Sequence, residues 1–110
     1  MSGGLLSGGG SEEGEIARKL ILFVAEGEAH SLVARNNLQK ILDAPSGSRF
    51  TLQIVNVLED YQTALQHKVL VTPCLLQLEP PPRVMIVGTL QDVERIRIVL
   101  RLNVKETEDV

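Results

Sequence analysis

Cysteine and aromatic side chains are nearly missing from this 110-residue chain. Cys74 stands alone, which excludes an intrachain disulfide, a Cys-x-x-Cys pair and a zinc site built on cysteines. Trp is absent and the aromatics are Phe23, Phe50 and Tyr61, too few for a platform that stacks single-stranded nucleic acid or glycan. No apolar run approaches ~20 residues, and the N-terminus has no basic stretch leading into an apolar one. Neither a membrane span nor a secretory signal is expected, and a cytoplasmic setting is. The chain also lacks a concentration of positive charge. Its net charge of −3 comes from the ends, where Glu12 and Glu13 stand on one side and Glu106, Glu108 and Asp109 on the other. Between Glu15 and Lys105, eleven basic residues are scattered among nine acidic ones. A nucleic-acid footprint needs a concentrated basic face, so no nucleic-acid partner is expected.

What is present is aliphatic, and enough of it for one small domain. Met1 to Gly14 holds six of the nine glycines among Ser and Glu, so residues 1–15 read as a disordered tail that cannot bury enough apolar area to offset its ordering entropy. Order is expected from Ile16 to Val104, with residues 105–110 an acidic tail. Leu20 to Ala25 is a short continuous apolar run and reads as a strand buried on both faces. Ala34, Leu38, Ile41 and Leu42 recur at helical spacing, with Ser31 as N-cap and Pro45-Ser-Gly47 as the stop. Phe50 to Val57 gives a second strand, parallel to the first in a βαβ unit. Asp60 caps a short helix from Tyr61 to His67. Val69–Val71 and Cys74–Leu78 flank Thr72-Pro73. Pro80, Pro81 and Pro82 form a stiff connection to a strand at Arg83–Val87, which Gly88 ends. Thr89 caps the segment after that glycine.

The last segment satisfies two periods. Leu90, Val93, Ile96 and Leu100 make a helical stripe, while Ile96, Ile98, Leu100, Leu102 and Val104 alternate as a strand would. Two readings are open: a fully buried helix with aliphatic excess, or a segment able to adopt either structure.

The chemistry-bearing residues do not form a catalytic set. His30 and His67 sit in no nucleophile motif, and the glycine-rich stretch lacks the Lys-Ser/Thr of a phosphate loop. A metal site would need His30, His67 and Cys74 to converge from scattered positions. No metal and no cofactor is expected, and the chain reads as a non-enzymatic binding or regulatory module. The order strand–helix–strand–helix, then Val71-Thr72-Pro73 opening a strand, is that of a thioredoxin-like fold, in which this proline is usually cis. The redox pair would fall at Glu26-Gly27-Glu28-Ala29, where no cysteine stands. Cys74 reads as a small buried apolar residue, with a reactive thiol as the alternative.

Leu22-Phe-Val-Ala25, Asn37-Leu38 through Ile41-Leu42, Val55-Asn-Val-Leu58, Lys68-Val-Leu-Val-Thr-Pro73, and Pro80-Pro-Pro82 through Val87-Gly88-Thr-Leu90 with Asp92 resemble the KaiB family of circadian clock proteins. The resemblance runs from about Lys19 to Leu102, and the related sensory domain of the SasA kinase shares the fold. It implies an α/β, thioredoxin-like βαβαββα architecture, with an alternative KaiB ground-state order βαββααβ. It further implies a non-catalytic protein that binds a KaiC-like ATPase ring, with a KaiA-like protein or a histidine kinase as further partners and a homodimer or homotetramer as its own assembly. The partner-binding residues it implies are Glu59, Asp60, Gln62, Lys68 and Arg83. The fold-switch residues are Pro73, Gly88, Thr89 and Asp92. The chain departs from the family pattern at Asn56, where Asp is usual, at Glu59, where Lys is usual, and at Thr89, where Asp is common.

Overall fold

A computed structural model describes residues 16–44 and 47–102; the expected tails at 1–15 and 105–110 lie outside them. The elements are β1 (Ile16–Val24), α1 (Ala29–Asp43), β2 (Ser48–Asn56), α2 (Tyr61–Gln66), β3 (Cys74–Glu79), β4 (Val84–Val87) and α3 (Val93–Val99). This is the βαβαββα order. The sheet runs β2-β1-β3-β4. β1 and β2 pair in parallel through nine residues, Ile16↔Ser48 to Val24↔Asn56. β3 pairs antiparallel with β1 and with β4.

Central β1 explains the continuous apolar run, because alternate side chains leave it in opposite directions and both sets are covered. Leu20, Leu22 and Val24 join Leu75 under Ala34, Leu38 and Ile41 of α1 and Ile96 and Leu100 of α3. Ile21 and Phe23 face the other way, with Val55, Cys74 and Leu76, under Ala64 of α2 and Val69. Each Val, Leu, Ile or Phe side chain among them contributes about 1.5–3 kcal/mol on burial.

Three details differ from the sequence reading. α1 begins at Ala29 behind an N-cap at Glu28 that makes no side-chain capping bond. Ser31 is instead buried within the helix, where its Oγ accepts from the Ala25 N–H at 2.9 Å. Asp92, not Thr89, caps α3, accepting from Arg95 N at 3.2 Å. The final helix is not buried all round: Ile96 and Leu100 face the core, but Ile98 is 65% exposed. Ile98, which belongs to the alternating set and not to the helical stripe, faces water, while Leu102 of the same set is buried.

Candidate partner-binding and switch surface

α2 positions five of the residues singled out above. Asp60 accepts from Thr63 N at 3.1 Å and from Thr63 Oγ1 at 2.7 Å, which satisfies an otherwise orphaned helix donor. These bonds hold the Asp60 carboxyl below its ordinary pKa, the side-chain hydroxyl contributing most. Glu59 and Gln62 are exposed beside it.

Six residues later the helix closes. Lys68 N donates to Leu65 O at 3.0 Å and Val69 N to Ala64 O at 2.8 Å, the two bonds of a Schellman closure. The left-handed position is occupied by Lys68, at φ 62°, where glycine is usual. Arg83 reaches across from the start of β4, and its Nη2 donates to the His67 carbonyl at 3.0 Å. The five residues thus divide into an acidic end at Glu59 and Asp60 and a cationic end at Lys68 and Arg83. About 9 Å of helix separates the ends, with signs that suit its dipole.

Between those ends lies a stripe that sequence reasoning missed. Leu58, Tyr61 and Leu65 are 67%, 61% and 57% exposed. Their spacing of three and four is that of a core-facing stripe. Only the structure shows that small Ala64 takes the inward position and leaves the larger apolar groups outside.

Pro73, Gly88, Thr89 and Asp92 come together at the other end of the same connection. Gly88 N donates to Pro73 O at 2.9 Å, and Gly88 adopts φ 118°, a region closed to most side chains. Thr72-Pro73 is cis. Asn37 Nδ2, from α1, donates to Thr89 O at 2.8 Å and ties this loop to the first helix. A cavity of about 330 Å³ lies beside it, lined by Ile86, Leu90, Asp92, Arg95 and Val99 among others. Asn37 is absent from the sequence-derived set, because a polar helix residue gives no sign of a main-chain partner 52 positions away.

The turn after β1 offers no thiol chemistry. Glu26 pairs with Arg35 at 3.3 Å on the surface, and Gly27 adopts φ 92°. Asn56 Oδ1 accepts from both Glu26 N and Leu58 N at 3.1 Å, joining the turn after β1 to the turn after β2. Cys74 is fully buried, and desolvation pushes its thiol pKa up, opposite to what a nucleophilic thiolate requires. His30 is exposed, and the His67 ring lies 6.0 Å from that of Phe23. Among the described residues no three His, Cys, Asp or Glu side chains converge as metal ligands, and no helix is long and apolar enough to cross a membrane.

The family model described as KaiB domain matches residues 21–102. The circadian clock oscillator protein KaiB of Prochlorococcus marinus strain NATL2A is 37% identical over 90 residues, 82% of this chain and 84% of that protein. Its counterpart from Synechococcus sp. strain RCC307 is 37% identical over 90 residues, 82% of each chain. Among solved structures, the N-terminal domain of Synechococcus elongatus SasA matches with a TM-score of 0.62 at 22% identity, over 74% of this chain and 81% of that one. The Drosophila melanogaster thioredoxin Deadhead matches with a TM-score of 0.62 at 12% identity, over 86% and 89%. The fold is thioredoxin-like.

Proposed function

The chain belongs to the KaiB family, and from that premise we propose that it is a non-catalytic regulatory protein of a clock or stress-signalling system. It binds a KaiC-like ATPase ring and modulates that protein's phosphorylation. The observation that carries the reading is the extent of the match. Residues 21–102 take in the whole of α2, Lys68, Arg83 and the loop from Gly88 to Asp92. The thioredoxin position for redox chemistry holds Glu26-Gly27-Glu28-Ala29 instead, which supports binding over catalysis. Glu59, Asp60, Gln62, Lys68 and Arg83 form the contact surface around the exposed apolar stripe. Pro73, Gly88, Thr89 and Asp92 govern an equilibrium with a second fold. The same stripe favours self-association into a homodimer or homotetramer.

Gel filtration with a KaiC-like ATPase from the same source tests this, after overnight incubation in each nucleotide state. Co-elution is expected, with Lys68→Ala and Arg83→Ala weakening it. Absence of co-elution in both states overturns the reading, and recovery of a histidine kinase with no ATPase replaces it with a sensing or scaffold role. A KaiA-like protein joining the complex would extend it. Light scattering over a hundredfold dilution checks the assembly, and a monomer throughout overturns it.

A further inference from the structure

The two edges of the sheet are β2 and β4. β4 runs for four residues, whereas β2 runs for nine, Ser48–Asn56, in unbroken parallel register with β1. No described strand lies beyond β2, so alternate residues along it turn their N–H and C=O groups outward with no ladder to join. Exposed edges are ordinarily blunted by lysine, proline or a bulge. β2 has none of these, and its one charged residue is Arg49, near its start.

The two faces of this edge are unlike. Phe50 packs partly against the core beneath α1, and by alternation Leu52 and Ile54 share that side. They are 37% and 41% exposed. With Leu42, Arg35 and Gln39 of α1 they line a cavity of about 210 Å³ between the strand and the helix. Thr51 and Gln53, on the opposite side, are exposed and polar.

Reversed, β2 is complementary to itself. An antiparallel pair centred on Leu52 sets Leu52 against Leu52, Phe50 against Ile54 and Thr51 against Gln53. Apolar then meets apolar on the α1 side and polar meets polar on the other. The helix above obeys the same centre. Gln39 lines the cavity with Leu52, and Arg35 and Asp43 stand four residues to either side of it, about one turn each way. A two-fold axis at that point brings Arg35 of each copy towards the partner's Asp43. Both side chains are exposed and already oriented, Arg35 by Glu26 at 3.3 Å and Asp43 by Gln39 Nε2, which donates to it at 2.8 Å.

We propose that β2 is the interface of a two-fold dimer of this chain, in which the two β2 strands pair antiparallel and join two four-stranded sheets into one. The self-complementary strand and the reciprocal Arg35–Asp43 pairs favour a second copy over an unrelated strand. An isologous contact of this kind closes on itself. It uses none of Leu58, Tyr61 or Leu65, so the α2 stripe stays open to another partner, and it stands whether or not that partner is an ATPase.

Light scattering and amide hydrogen exchange on the full chain, followed through a dilution series, test this. A dimer is expected at high concentration, with the outward-facing β2 amides protected there and exchanging freely once diluted. Leu52→Lys sets two ammonium groups against each other on the axis and should raise the dissociation constant about a hundredfold. Arg35→Glu should raise it about fivefold, and adding Asp43→Lys should recover it, because the pair is reversed and recurs twice. If Leu52→Lys fails to fold, this exchange of surface charges decides alone, and absence of recovery counts against the dimer. A monomer at every concentration overturns the proposal. So does a dimer that Leu65→Lys dissolves and Leu52→Lys leaves intact, which would put the interface on α2. Protection of β2 that appears only when another protein is added also overturns it, by assigning the edge to a foreign strand.

Discussion

The two halves of the sheet are built on different terms. β1, α1 and β2 are nine, fifteen and nine residues long, and among the described residues there the left-handed ones are glycines, Gly27 and Gly47. From α2 onward the elements are six, six, four and seven residues. Left-handed conformations there fall on Lys68, Leu90 and Arg101, each at φ 62°, as well as on Gly88. A left-handed side chain costs about 1–2 kcal/mol, and helices this short do not persist alone. The first half is supported by its own local preferences. The second is held in this arrangement by tertiary contacts that override local ones, the circumstance in which one sequence can support two arrangements within a few kcal/mol.

The contrast can be broken most forcefully at Phe23, which is fully buried on β1. Phe23→Ala should cost about 3–5 kcal/mol in urea unfolding and open the whole domain. Leu100→Ala should cost less, about 2–3 kcal/mol, because it closes a short helix whose own Ile98 and Val99 are exposed, so the site can relax. Native-state hydrogen exchange should then show α3 and α2 opening below the energy that unfolds β1 and α1. Equal protection in both halves would dissolve the distinction. Gly88→Ala should disfavour this form by about 1–2 kcal/mol, through backbone alone, since an added Cβ meets nothing within 4 Å. Asp92→Arg should act in the same direction by about 1 kcal/mol, removing the α3 cap and placing a cation at the helix start. NMR shifts from Glu59 to Leu102 read both populations, and identical shifts in the two variants and the unaltered chain would leave a single fold. Conversely, Lys68→Gly and Arg101→Gly should each stabilise this form by about 0.5–1 kcal/mol. Lys68→Gly should do so while weakening partner binding.

The smallest effect is one of pH. The Asp60 carboxyl is held below its ordinary value by Thr63, so its contribution to α2 is present above the usual carboxylate range. That contribution is lost as pH falls through the depressed value. Protection of the α2 amides, measured against the intrinsic exchange rate at each pH, should fall on acidification, and Asp60→Ala should abolish that pH dependence.

Legibility followed the same division. The continuous run at Leu20 to Ala25 and the helical spacing from Ala34 to Leu42 announced β1 and α1, because burial there follows the period of the element. The proline and glycine punctuation placed β3 and β4. What stayed hidden was long-range or compensated. Ser31 resembled a cap because hydroxyls favour that role, but the fold used it to satisfy Ala25 N–H. The stripe of Leu58, Tyr61 and Leu65 carried a core-like period and faced water. Lys68 and Arg101 occupied left-handed sites where the usual marker is glycine. The final segment carries two periods, and this arrangement forms a helix there with Leu90, Ile96 and Leu100 turned to the core.

The triple proline between β3 and β4 bears on solubility. β4 is an edge strand of sequence Val-Met-Ile-Val, uncharged, with Met85 and Val87 exposed, the composition that seeds cross-β stacking when it runs for six or seven residues. Here it runs for four. Pro80, Pro81 and Pro82 contribute no amide hydrogen on one side, and Gly88 turns the chain away on the other. A foreign strand adding to this edge would find too few consecutive donors to grow a ladder. The punctuation that defines β4 therefore also works as a gatekeeper against fibre formation.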